Sequence, residues 1–133
     1  MAAFPFELVS PEKLVFSGDV QQVVIPGTEG DFAVGAGHEK LISALRPGLI
    51  VVTDAAGQVS RLYVRGGFAD VSGTGLTILA ERAVPAADMN DAAFEAEIKA
   101  TEAEVAAATT DSDKIRASER LAQVGDARRA IAA

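Results

Sequence analysis

Leu76-Thr77-Ile78-Leu79-Ala80-Glu81-Arg82-Ala83-Val84-Pro85-Ala86-Ala87-Asp88-Met89-Asn90-Asp91 is the stretch where the chain changes texture. Before it the sequence is a series of short apolar runs, Phe4 to Val9, Leu14 to Phe16, Val20 to Ile25, Phe32 to Val34, Leu41 to Leu45, Leu49 to Val52, Val59 to Val64, Gly67 to Val71 and Leu76 to Leu79. Turn residues separate them at Gly18-Asp19, Pro26-Gly27, Gly35 to Gly37, Pro47-Gly48, Ala56-Gly57, Gly66-Gly67 and Gly73 to Gly75. Short strands punctuated at roughly 8–12-residue spacing are the pattern of a sandwich or barrel. Leu76-Thr77-Ile78-Leu79 and Arg61-Leu62-Tyr63-Val64-Arg65 alternate, which predicts one buried and one wet face for each.

After Pro85, Ala, Glu, Asp and Arg take over from Gly and the β-branched residues, and helices are expected. Asp88 or Asn90 is placed to cap the first, and Phe94, Ile98, Thr101, Val105 and Ala108 recur at helical spacing. Thr109 to Asp113 ends that helix and caps a second, in which Ile115, Leu121, Val124 and Ile131 share a face. Arg116, Arg120, Arg128 and Arg129 fall largely outside that face. The expected class is mainly β plus α: an N-terminal antiparallel β-sandwich over residues 1–84 and a C-terminal antiparallel two-helix hairpin over 85–133. Alanine supplies most of the hairpin's surface and Gly125 interrupts its second helix. A hairpin so built must lean on the sandwich or on another protein, and is expected to be mobile.

The 133 residues carry 49% hydrophobic and 23% charged side chains, enough for one core. A net charge of -7 disfavours a nucleic-acid partner or a grip on anionic lipid, which need clustered Lys and Arg. No stretch approaches the roughly 18 apolar residues of a membrane span, and a soluble cytosolic chain is expected. Without cysteine there is neither a thiolate nucleophile nor a thiolate metal site. His38 is the single histidine and lies in Gly35-Ala36-Gly37-His38-Glu39-Lys40, a surface-loop sequence with no nucleophile elbow around it. Gly27-Thr28-Glu29-Gly30-Asp31 is glycine-rich, but a strand follows it and two acids stand where a phosphate would sit, so a tight turn is expected. Three readings of these residues remain open. Glu29, Asp31 and His38 are contacts on an assembly surface, or they line a pocket in a small enzyme or ligand-binding module. In the third, the helical arginines sense a nucleotide.

Val24-Ile-Pro-Gly-Thr-Glu-Gly-Asp-Phe-Ala-Val34, Gly37-His38, Leu45-Arg-Pro-Gly-Leu-Ile50, Gly66-Gly-Phe-Ala-Asp-Val71 and Leu76-Thr-Ile-Leu-Ala-Glu-Arg-Ala83 together resemble the epsilon subunit of bacterial F-type ATP synthases, in order and in spacing. The resemblance implies a non-catalytic rotor subunit of the central stalk of a proton-translocating enzyme. In it the sandwich binds the gamma subunit and the polar loops of the c-ring, peripheral on the cytoplasmic face of the bacterial plasma membrane. Glu29, Asp31 and His38 are then c-ring contacts. The hairpin is the element that reaches toward the alpha and beta catalytic subunits and regulates ATP hydrolysis, with Asp91, Arg116, Arg120 and Arg128 as nucleotide or partner contacts.

Two departures from the family pattern stand out. Pro-Gly-His-x-Pro-Leu reads Ala36-Gly37-His38-Glu39-Lys40-Leu41, without either proline. The ATP-binding Ile/Leu-Asp-x-x-Arg-Ala reads Asn90-Asp91-Ala-Ala-Phe94-Glu95, with Phe94 where the phosphate-directed arginine belongs. No cofactor is implied, and ATP binding by the hairpin is not expected.

Overall fold

A computed structural model describes residues 3–132, so residues 1, 2 and 133 of the expected division lie outside it. Nine strands precede the helices: β1 (Phe4–Val9), β2 (Leu14–Gly27), β3 (Gly30–Gly35), β4 (Leu41–Leu45), β5 (Gly48–Asp54), β6 (Val59–Val64), β7 (Gly67–Val71), β8 (Leu76–Ala80) and β9 (Ala83–Pro85). A 3-10 turn over Ala86–Asp88 leads to α1 (Asp91–Ala107) and then α2 (Asp111–Ala132).

The two layers share β2. Its first half pairs with β1, from Phe4 opposite Val20 to Val9 opposite Leu14. Its second half lies between β3 and β5, with Val23 opposite both Val34 and Val52. The register shifts between Val20 and Gln22, where the strand crosses from one layer to the other. One layer runs β3-β2-β5-β6-β9 and the other β2-β1-β8-β7-β4. Pairing is antiparallel except between β1 and β8, which run parallel from Phe6 opposite Leu76 to Val9 opposite Leu79. Inward residues of both layers form the core, among them Phe6, Leu8, Val20, Val23, Ile25, Ile50, Val52 and Ile78.

Two expectations for the sandwich are corrected. Gly18-Asp19 is no turn: it lies inside the 14-residue β2, with Gly18 directly opposite Phe6. A glycine there leaves room for aromatic rings, and Phe6 and Phe16 fill it with centroids 5.4 Å apart. β6 has no wet face. Leu62 and Val64 point into the sandwich core while Tyr63, on the opposite face, is fully buried beneath the hairpin.

The β6–β7 turn demands glycine. Gly67 has φ +136°, and a Cβ there would lie 2.0 Å from the Leu79 carbonyl oxygen. The close approach lets β7 pair with β8 from Gly67 opposite Ala80 onward.

Asn90, not Asp88, caps α1: its side-chain oxygen accepts the Ala93 amide at 2.9 Å. Phe94, Ile98, Thr101 and Val105 turn inward as the periodicity predicts, with Thr101 tied back to the Glu97 carbonyl at 2.8 Å. In α2 the buried positions are Val124 and Ala127, flanked by Ile131, while Ile115 is 61% exposed. Ile115 lies nine residues ahead of Val124, about two and a half turns, which places it on the opposite side of α2 beside Ser118, Glu119 and Ala122. The hairpin leans on the sandwich itself: Phe94, Val124 and Ala127 pack with Met89 on Tyr63, Leu49 and Val84 of β6, β5 and β9.

Candidate functional site

The sandwich has two ends. The β2–β3, β4–β5, β6–β7 and β8–β9 turns share one of them with Ser10 and Pro11, around a groove of about 810 Å³ that α2 closes on one side with Arg116, Arg120 and Gln123. Glu29 and Asp31 belong to this end. Glu29 stands exposed in the β2–β3 turn, and Asp31 pairs with Arg46, which also donates to the Gly27 carbonyl at 2.6 Å. Asp31 thus anchors the turn as well as presenting charge.

His38 is at the other end. It follows β3, with its amide donating to the Gly35 carbonyl at 3.3 Å and its Nδ1 2.8 Å from the Glu39 carbonyl oxygen. The depression it lines, about 150 Å³, is shared with Phe4 and the β7–β8 turn. Four residue steps of extended β3 carry the chain from Asp31 to Gly35, about 13 Å. The three residues therefore do not form one patch or one pocket, and the enzyme reading that joined them loses its geometry. Among the described residues no three His, Asp or Glu side chains gather to hold a metal ion.

The outward face of β4, β7 and β8 carries one apolar row where solvent would favour polar side chains, and beside it a mixed row in which Asp70 lies between Ile42 and Thr77. Ala44 lies opposite Phe68, and Phe68 opposite Leu79, in one row across the three strands. Phe68 and Leu79 are 58% and 57% exposed, and Ile42 beside them 72%. The row continues into the groove through Phe68 and Leu79.

On the hairpin, Arg128 donates to Glu95 at 2.9 Å and to Asp91 at 3.3 Å. Those two bonds hold its guanidinium still more firmly protonated than usual. Asp91 and Arg128 are thus partners of each other, tying the start of α1 to the end of α2. Arg120 is half-buried against the sandwich, paired with Glu81 and donating to the Arg65 carbonyl at 3.1 Å. Asp91 stays exposed despite that pairing, and of the three expected arginines only Arg116 is exposed. Phe94 is sealed into the cluster on Tyr63.

Sequence reading missed Glu97, Tyr63, Arg65 and Arg82. The Glu97 side chain is 1% exposed and meets Arg82 at 2.7 Å and Arg65 at 3.7 Å. Its position was a signal: three residues after Phe94 and four before Thr101, it falls on the apolar stripe. Burial, reinforced by the nearby Glu97 carboxylate, pushes the Tyr63 phenol well above its ordinary value.

Residues 3–86 match the family described as ATP synthase, Delta/Epsilon chain, beta-sandwich domain. The ATP synthase epsilon chain of Parvibaculum lavamentivorans is 46% identical over 126 residues, covering 95% of this chain and 96% of the relative. That of Rhodopseudomonas palustris BisB18 is 49% identical over 121 residues, 91% and 88% of the two chains. The fold recurs in a chain of the Euglena gracilis mitochondrial ATP synthase, TM-score 0.76 at 22% identity, covering 98% of this chain and 82% of that one. It recurs again in the Tetrahymena thermophila mitochondrial ATP synthase central stalk and c-ring structure, TM-score 0.70 at 14% identity, with 92% and 94% covered. With the sandwich matched throughout and relatives close to half-identical over nearly the whole length, this chain belongs to the ATP synthase epsilon chain family.

Proposed function

We propose that this chain is a non-catalytic rotor subunit of the central stalk, passing c-ring rotation to the catalytic head through a gamma-type subunit that sits on the outer face of β4, β7 and β8. The observation that carries the reading is the exposed apolar cluster of Phe68 and Leu79, with Ile42 beside them, on one outer face of the sandwich. Large apolar side chains clustered on a solvent face mark a partner site. Glu29, at the turn end, is the charge offered to the polar loops of the c-ring, and Asp31 holds that turn in place through Arg46. His38, at the opposite end, makes a separate contact. No helix among the described residues is long and apolar enough to cross a membrane, which accords with attachment through the complex.

The test is co-purification with the gamma-type subunit. Phe68→Asp with Leu79→Asp should abolish binding while far-UV circular dichroism stays unchanged, because both side chains point away from the core. Retained binding by the double variant would overturn the docking face.

The hairpin is proposed as the regulatory arm and residues 85–133 as a separately moving unit. Deleting residues 86–133 and assaying ATP hydrolysis in the assembled complex decides that role; unchanged hydrolysis removes it.

A further inference from the structure

The boundary between hairpin and sandwich carries an ionic cluster that the docking face does not use. Glu97 projects from α1 into it. Its Oε1 accepts from Arg82 at 2.7 Å, and its Oε2 lies 3.7 Å from Arg65 Nε, too far for a hydrogen bond. Arg82 comes from the β8–β9 turn and Arg65 from the β6–β7 turn. Arg65 reaches on to Glu104, two turns further along α1, and Arg120 of α2 returns to Glu81 and to the Arg65 carbonyl. Both helices are thus tied to the same two turns, with Glu97 the one fully buried charge among the ties.

The cluster is incompletely satisfied. Tyr63 Oη, Arg65 Nε, Glu97 Oε2 and Arg120 Nε are buried and find no hydrogen-bond partner among the described residues. Polar atoms sealed permanently into a core are almost always paired, because an unpaired one forfeits its hydration. Burying ions also sacrifices solvation that the Coulomb attraction only partly returns, whereas removing one member of a buried pair strands the other. All four atoms regain hydration when the hairpin lifts away. A contact of this composition fixes where the hairpin sits without gluing it down.

We infer that Glu97 is a positioning residue that latches the hairpin on the sandwich in a reversible, geometrically specific way through Arg82 and Arg65. The apolar contact on Tyr63 supplies adhesion, and the carboxylate selects the one register in which α1 and the two turns match. Lifting the hairpin releases Glu97, Arg65, Arg82 and Arg120 together, so docking is all or none.

Amide hydrogen exchange on the full chain tests this. Glu97→Gln, close in shape, should speed exchange in α1 and α2 by about tenfold or more while the amides of β1 and β2 keep their protection. Arg82→Gln, at a half-exposed position, should act in the same direction, and the double variant should be little worse than Glu97→Gln alone. Unchanged hairpin exchange in Glu97→Gln overturns the latch. So does equal acceleration in hairpin and strands, which would make Glu97 a support of the whole fold, and so does strict additivity of the two substitutions.

Discussion

The ring of Phe94 stands edge-on to that of Tyr63, centroids 5.4 Å apart and planes at 72°, and through it α1 grips β6. Edge-to-face aromatic pairs add to what area burial alone provides. Phe94→Ala removes this contact and should weaken hairpin docking by about 3–5 kcal/mol. Exchange should rise in α1 and α2, with the sandwich strands spared; loss of protection throughout would show that the sandwich depends on the hairpin.

Tyr63 provides a spectroscopic reporter, since the chain has one tyrosine and no tryptophan. Its phenol is held neutral in the folded protein, mainly by burial. A folded-state value above the unfolded one means that stability is intact below about pH 10 and falls as pH rises beyond it. The decline from this group approaches about 1.4 kcal/mol per pH unit until the folded value is reached. Phenolate absorbance should therefore appear only with loss of structure, and Tyr63→Phe should flatten that part of the alkaline limb. Titration of Tyr63 near pH 10 with circular dichroism unchanged would contradict the buried placement.

Two glycine-to-alanine changes should have opposite signs. Gly67→Ala drives a methyl against the Leu79 carbonyl at a backbone angle that side chains avoid, and should destabilise by on the order of 3 kcal/mol or more. Gly125 sits in regular helix, where a Cβ would meet only the flexible end of Arg129 at 3.8 Å. Gly125→Ala should stabilise the hairpin by about 0.8–1.0 kcal/mol. Denaturation midpoints of the two variants on either side of the parent would establish both.

ATP should not bind the hairpin. The position of a phosphate-directed arginine is filled by buried Phe94, and Arg128 already serves Glu95 and Asp91. Calorimetry with ATP should give no saturable heat, and a stoichiometric isotherm would refute this.

The strands were legible wherever a turn residue bounded an apolar run, and β1, β4, β6 and β7 run as the sequence suggested. Gly18-Asp19 misled because glycine opposite a ring on a neighbouring strand looks, in one dimension, like glycine in a turn. β9 escaped because Ala83-Val84-Pro85 is too short to show a period; it is a strand only by pairing with Leu62 to Val64. The hairpin's periodicity identified Phe94 and Thr101, but a charge on that stripe is intelligible only once Arg65 and Arg82 arrive from distant turns. Glu29, Asp31 and His38 read as one cluster because they are close in sequence. An extended strand carries them apart.

The parallel pairing of β1 with β8 joins segments seventy residues apart, Phe6 beside Leu76. During synthesis at roughly 5–20 residues per second, one edge of β1 waits on the order of several seconds before its partner emerges. An unpaired edge invites pairing with the wrong chain, and Pro5 and Glu7, a missing donor and an outward charge, discourage it. Closure of the sandwich by β8 is thus a late step, and the hairpin emerges only afterwards, onto β5 and β6 already in place. The order of the sequence has the arm follow the body, which is the template on which it lands.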